Sequence, residues 1–164
     1  MLNLEELNAL DRESFTGVIG PVFEHSPWIA SQTWETRPFV SRGSLHGALC
    51  RTVSEAAAEQ KLQLIQAHPD LVGRAVLTSE SRTEQTSAGL DQLSPDEVAA
   101  FNDYNRRYRE RFGFPFVICA RLNKKEAILK AFPERLANSP ETELQTALDE
   151  IFKIAELRLQ ELVQ

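Results

Sequence analysis

Cysteine is nearly missing from this chain. Cys50 and Cys119 are the only two in 164 residues, far apart and without CxxC spacing. A chain of this size buries roughly two-thirds of its unfolded surface without covalent staples. The two thiols therefore argue for a reducing compartment and against a disulfide framework or a cysteine-based zinc site. Histidine is sparse too. His25, His46 and His68 are scattered, with no HExxH or comparable pair, so no metal is expected. Positive charge is in deficit: eighteen Lys and Arg against twenty-four Asp and Glu give a net charge of −6. That sign is wrong for displacing counterions from nucleic acid. Long hydrophobic runs are absent as well, and nothing approaches the ~20 apolar residues that span a bilayer. The acidic start Met1-Leu2-Asn3-Leu4-Glu5-Glu6 is unlike a secretion signal, and Glu161-Leu162-Val163-Gln164 is not a peroxisomal Ser-Lys-Leu address. The expectation is a cytoplasmic protein with neither nucleic-acid nor membrane partners. No repeat or low-complexity linker divides the chain, so one domain over 1–164 is expected.

What is present reads almost throughout as helix, which predicts an all-α fold: a compact single-domain multi-helix bundle. Asp11 caps a short helix carrying Phe15 and Ile19, ended near Gly20-Pro21. Ser26-Pro27 combines an N-cap with proline at the first helical position, and Pro38 closes the helix it opens. From Ser44, residues Leu45, Leu49, Val53 and Ala57 recur four apart as one apolar stripe, and helix continues over Lys61–Ala67 until Pro69. A helix starting near Ser79–Ser81 should end at Gly89. Ser94-Pro95-Asp96-Glu97 is the clearest helix start, with a capping box and a preset proline. Val98, Phe101, Asn105, Tyr108 and Phe112 follow on one face. Asn123 is placed to cap a helix through Ile128 and Ala131 that Pro133 interrupts or restarts. Ser139-Pro140 opens the last helix, with core positions Leu144, Leu148, Ile151, Ala155, Arg158 and Leu162. The exception is residues 112–120, whose Gly113 and Pro115 and missing 3.6-residue rhythm predict one extended crossing segment.

Several residues stand out chemically. Pro69 pushes the backbone of His68 out of the helical region, so the imidazole is aimed by a forced break rather than by a helix phase. It either caps the preceding helix or satisfies a core carbonyl, or it trades protons near neutral pH as a general acid or base. Ser81-Arg82-Thr83-Glu84 matches a capping box, in which Ser81 and Glu84 merely satisfy open amides. A helix start is equally a place to seat a polar anion. Residues 116–120 are core by default, or else an apolar wall whose extended backbone offers hydrogen bonds to a ligand. Arg121 follows directly, as a solvated charge or a ligand contact. Arg158 occupies an apolar phase, where a guanidinium without a partner would be costly, so it must meet a carboxylate or a ligand anion.

Four segments together resemble a known family. They are Ala67-His68-Pro69-Asp70-Leu71; Ser81-Arg82-Thr83-Glu84-Gln85 leading to Ala88-Gly89-Leu90; Tyr108 with Arg111-Phe112-Gly113-Phe114-Pro115-Phe116; and Lys153-Ile154 with Leu157-Arg158-Leu159. Their order and the chain length are similar to those of the 2-oxo-4-hydroxy-4-carboxy-5-ureidoimidazoline (OHCU) decarboxylases. The resemblance covers almost the whole chain. It implies a compact all-helical fold, often a homodimer, that acts on a small molecule late in urate breakdown. It implies loss of CO2 to leave (S)-allantoin, with no metal and no organic cofactor. The proton donor of the family falls on His68 and a substrate-contacting proline on Pro69. The polar stretch falls on Ser81, Arg82, Thr83, Glu84 and Gln85, and a later contact segment on Phe116, Val117, Ile118, Cys119 and Ala120. The residues themselves add Glu84 as partner of His68, and Arg121 and Arg158 as candidates for charge compensation. The connection between Leu71 and Ser81 looks short for the family. Two other readings stay open: a helical module that binds a purine-derived ligand or a partner protein without turnover, and a metal-free hydrolase acting on the ureido group.

Overall fold

In the computed structural model, which describes residues 1–73 and 76–164, every regular element among the described residues is helical. The chain divides into two units, Met1–Ala67 with Phe152–Gln164, and His68–Ile151. No helix is long and apolar enough to cross a membrane among the described residues.

The first unit holds α1 (Leu4–Ala9), α2 (Arg12–Ile19), α3 (Trp28–Thr33), α4 (Arg42–Ser54) and α5 (Ala58–Gln66). Asn3, Asp11 and Ser41 each accept a hydrogen bond from an amide in the first turn they cap. α3 packs on both α2 and α4. Leu45, Leu49 and Val53 form the buried stripe of α4 as their spacing predicts, but Ala57 does not extend it. Glu55 closes α4, and Ala57 is the exposed, extended residue that opens α5. Ser26 is not a side-chain cap either: its hydroxyl donates to the Glu24 carbonyl, and Pro27 stands at the cap position of α3.

The second unit holds α6 (Ser79–Ser87), α7 (Pro95–Phe112), α8 (Lys125–Leu136) and the start of α9 (Pro140–Leu162), whose residues from Phe152 belong to the first unit. α7 begins with the expected capping box, Ser94 with Glu97, and ends where Gly113 turns left-handed at φ 77°. Residues 113–119 then run without helix, as their composition predicts. α7 packs on α8. Phe101, Tyr108, Phe116 and Phe132 are fully buried there, and the Phe116 and Phe132 rings stack with centroids 3.9 Å apart. Two expectations for α8 need correction. Asn123 does not cap it: its side-chain amide donates to the Cys119 carbonyl, and Lys124 holds the cap position. Pro133 does not interrupt it, sitting on the exposed side of a continuous helix. On α9, Leu144 and Leu162 are only half-buried, whereas Glu143 and Glu150 share the buried face.

Candidate active site

The site candidates of the second unit begin directly after α5. His68 is 7% exposed, and side chains from two helices hold the residues that follow it. The Arg109 Nε–H of α7 donates to both Asp70 oxygens, at 2.9 and 3.1 Å. Asn105, one turn earlier, donates from Nδ2 to the Leu71 carbonyl at 2.8 Å. The Val72 amide donates to Gln85 Oε1 of α6 at 3.2 Å. This last bond ties the histidine segment to the polar stretch. The Leu71–Ser81 connection, expected to be short, includes residues 74–75, which lie outside the described residues.

The start of α6 settles the capping question. Thr78 is the N-cap, and its hydroxyl oxygen accepts from the Ser81 amide at 3.1 Å. Ser81 is therefore the third helical residue and Glu84 the sixth, so the pair does not form the capping box that its spacing suggests. The helix instead presents Ser81, Glu84 and Gln85 on one face, three and four residues apart. Ser81 is buried there, with Glu84 and Gln85 half-buried. Arg82 and Thr83 fall on the exposed face, and the Thr83 hydroxyl donates to the Ser79 carbonyl. Gly89 closes the helix at φ 82°, its amide bonded to Thr86 and that of Leu90 to Gln85, as a Schellman turn requires.

α6 packs on the turn at Ala120–Leu122, so its polar face and the extended segment are neighbours. Phe116, Val117, Ile118, Cys119 and Ala120 are all buried. The Val117 carbonyl accepts from Arg135 Nη1, and the Cys119 amide donates to Glu150 Oε1 at 3.2 Å. The Val117 carbonyl and Cys119 amide are thus spent on Arg135 and Glu150. Burial holds the Cys119 thiol above the usual thiol range, and the nearby Glu150 and Glu84 carboxylates add to the effect. This thiol is protonated at neutral pH and is not a nucleophile.

Arg121 is exposed. Arg158, in the first unit, meets the carboxylate its phase demands: Nη2 donates to Glu24 Oε1 at 2.9 Å and Nη1 to the Pro21 carbonyl at 3.0 Å. Glu150 and Asn105 are polar residues of this region that sequence reasoning missed. Asn105 carried the same signal as Arg158, a polar side chain at a phase otherwise filled by Phe101 and Tyr108. Among the described residues, no group of three or more His, Cys, Asp and Glu side chains is placed to hold a metal ion.

With this geometry in place, comparison with known proteins is informative. The OHCU decarboxylase family model matches residues 8–160. A 2-oxo-4-hydroxy-4-carboxy-5-ureidoimidazoline decarboxylase of Haloferax volcanii is 46% identical over 98% of this chain and 95% of its own length. One from Amia calva is 41% identical over 99% and 95%. Among solved structures, an (S)-allantoin synthase superposes with a TM-score of 0.82 at 27% identity, over 99% of this chain and 54% of that one. An OHCU decarboxylase crystallised in the presence of (S)-allantoin gives a TM-score of 0.72 at 25% identity, over 93% and 98%. The segments around His68, Glu84 and Phe116 thus sit in a full-length match, and the chain belongs to the OHCU decarboxylase family.

Proposed function

We propose that this protein decarboxylates 2-oxo-4-hydroxy-4-carboxy-5-ureidoimidazoline to (S)-allantoin and CO2, with residues 1–164 acting as one functional domain. The observation that carries the reading is the tie from the His68 segment to Gln85, which joins two separate family motifs through one hydrogen bond. The family match over 8–160 runs through both units and supports the single domain.

Breaking the carbon–carboxylate bond leaves an electron pair on the ring carbon that also bears the 4-hydroxyl. The adjacent ring C=N takes this pair: a C=C forms, the nitrogen gains the charge and then a proton. The resulting enol becomes the product when the hydroxyl loses its proton and the ureido-bearing carbon gains one. Because the substrate supplies its own electron sink, the reading needs no metal or organic cofactor. The protein must set the breaking bond perpendicular to the ring, place donors where charge develops, and deliver the carbon-bound proton to one face.

His68 handles the proton traffic between the 4-hydroxyl and the new C–H. Glu84 orients the imidazole or accepts the ureido N–H groups. Gln85 spends its oxygen on Val72, and its NH2 end, without a partner among the described residues, donates to the polar ring edge. Ser81 adds a hydrogen bond, Pro69 contributes a contact beside the imidazole, and Arg82 and Thr83 border the site from the outer face of α6. Phe116 to Ala120 form the dry wall and offer main-chain hydrogen bonds to the ligand. Arg121 compensates charge at the edge, whereas Arg158 is spent on Glu24 and the Pro21 carbonyl within the first unit. A carboxylate gripped too tightly would be stabilised in the ground state and lost more slowly, which favours arginines held away from it. The family resemblance further supports a homodimer, and the two free thiols support a cytoplasmic setting.

The test follows the carboxylate carbon by 13C NMR after substrate is generated from urate by its upstream enzymes. CO2 and bicarbonate should appear at a rate proportional to protein concentration. An unchanged rate would mark a binding module, and released ammonia a ureido hydrolase. Glu84→Gln is expected to lower kcat at least about tenfold with little change in melting temperature, since Thr78 rather than Glu84 serves the helix start. Kinetics alongside thermal denaturation checks this. A collapsed melting temperature with normal activity per folded molecule would return Glu84 to a purely structural role.

A further inference from the structure

Four residues after His68 the backbone does something expensive. Val72 sits at φ 59°, in the left-handed region that a β-branched side chain rarely adopts. Such a conformation persists only where its surroundings over-determine it. Here side chains grip both ends of the peptide that leads into it: Asn105 of α7 donates to the Leu71 carbonyl, and Gln85 of α6 accepts from the Val72 amide. Asn105 carries a cost of its own. It is 6% exposed, and its Oδ1 is buried with no hydrogen-bond partner among the described residues. A leucine would fill the same position between Phe101 and Tyr108 without that orphaned acceptor, so stability alone is a poor reason for an asparagine. Between His68 and Leu71 stand only Pro69, whose ring fixes φ, and Asp70, which is ion-paired to Arg109. Little slack separates the clamp from the imidazole.

We propose that Asn105 is a positioning residue for the reaction: with Gln85 it holds the strained Leu71–Val72 turn and thereby sets where the His68 ring stands. This rests on the role given to His68 above. Asn105 does not touch substrate in this scheme; it acts through the loop.

Asn105→Leu tests it, because the variant removes the donor and the orphaned acceptor together. kcat should fall about tenfold or more, as expected for a misplaced catalytic group, while KM stays within about twofold. The melting temperature should barely move, and the 15N resonances of the His68 ring should shift. The loss should shrink in a Val72→Asn background, because asparagine tolerates the left-handed conformation and needs less holding. Wild-type kcat with an unshifted ring overturns the proposal, as does a loss of activity that simply follows a loss of stability and is additive with Val72→Asn. If the leucine variant does not fold, Asn105→Ala supports the same measurements. His68→Ala, assayed in parallel, separates the two levels. Wild-type turnover there would remove the catalytic reading of His68, while ring shifts and the double-mutant cycle still report whether Asn105 positions the imidazole.

Discussion

Replacing His68 with alanine should lower turnover at saturating substrate by ~100-fold or more, the usual worth of a general acid or base. His68 is the one histidine of the second unit. The other histidines, His25 and His46, belong to the first unit, and His46 Nε2 is already engaged with the Phe152 carbonyl at 2.8 Å. Burial and neighbouring carboxylates raise the Cys119 thiol above its ordinary range, which makes it a poorer proton donor than an imidazolium. The melting temperature should change little beside the kinetic loss, because Asn105, Arg109 and Gln85 fasten the loop after His68 and remain in the variant. Steady-state kinetics on freshly generated substrate, paired with thermal denaturation, reads both quantities. A His68→Ala protein with wild-type kcat would eliminate the assigned role.

The second large effect concerns stability. Arg135→Met should destabilise the fold by about 3–5 kcal/mol, the range for breaking a buried pair and stranding one charge. Glu143 is fully buried, and its carboxylate receives Arg135 Nε, the Tyr108 hydroxyl at 2.6 Å and the Asn138 amide at 3.0 Å. Removing the guanidinium leaves that charge with neutral donors only. Burial, above all, raises the Tyr108 phenol far above its ordinary range, and Glu143 acts in the same direction, so the ring stays a neutral donor to the carboxylate. Arg135 also lies over the Phe116 ring at 4.1 Å and holds the Val117 carbonyl, so the candidate wall loosens with it. For a protein of this size, the expected fall in melting temperature is roughly 6–20 °C. Adding Glu143→Gln should recover much of it, because the stranded charge goes too. Calorimetry of the two variants decides: an unchanged midpoint in Arg135→Met would mean the pair does not stabilise the fold.

Local signals in the sequence accounted for most helices. Ser94-Pro95-Asp96-Glu97 and Asp11 acted as the caps they looked like, and Gly113-Phe114-Pro115 marked the non-helical run of residues 113–119. The misplaced caps share a cause, which is that a polar side chain can serve more than one backbone group. Ser81 and Glu84 have capping-box spacing, yet Thr78 lies three residues earlier and took the position. Ser26 and Asn123 likewise bond to loop carbonyls instead of helix amides. Ala57 fits the apolar stripe of α4, but no breaker residue announces that the chain leaves the helix after Ser54. At the candidate site, the residues that resemble the family were legible, whereas their supports were less so. Arg158 was flagged because an arginine in an apolar phase demands an anion, and Glu24 supplies it from more than a hundred residues away. Nothing local tells Glu150 to meet the Cys119 amide, because that bond depends on how α9 lies against the extended segment within the second unit.

The most direct measurement is the handedness of the product. Freshly generated ureidoimidazoline decays unaided to racemic allantoin, so chiral chromatography of allantoin formed with and without the protein isolates what the fold adds. One-sided proton delivery requires a single enantiomer, (S), formed faster than the background. Accelerated loss of CO2 that still yields equal amounts of both hands would contradict the account, because the protein would then be speeding bond cleavage without directing the proton.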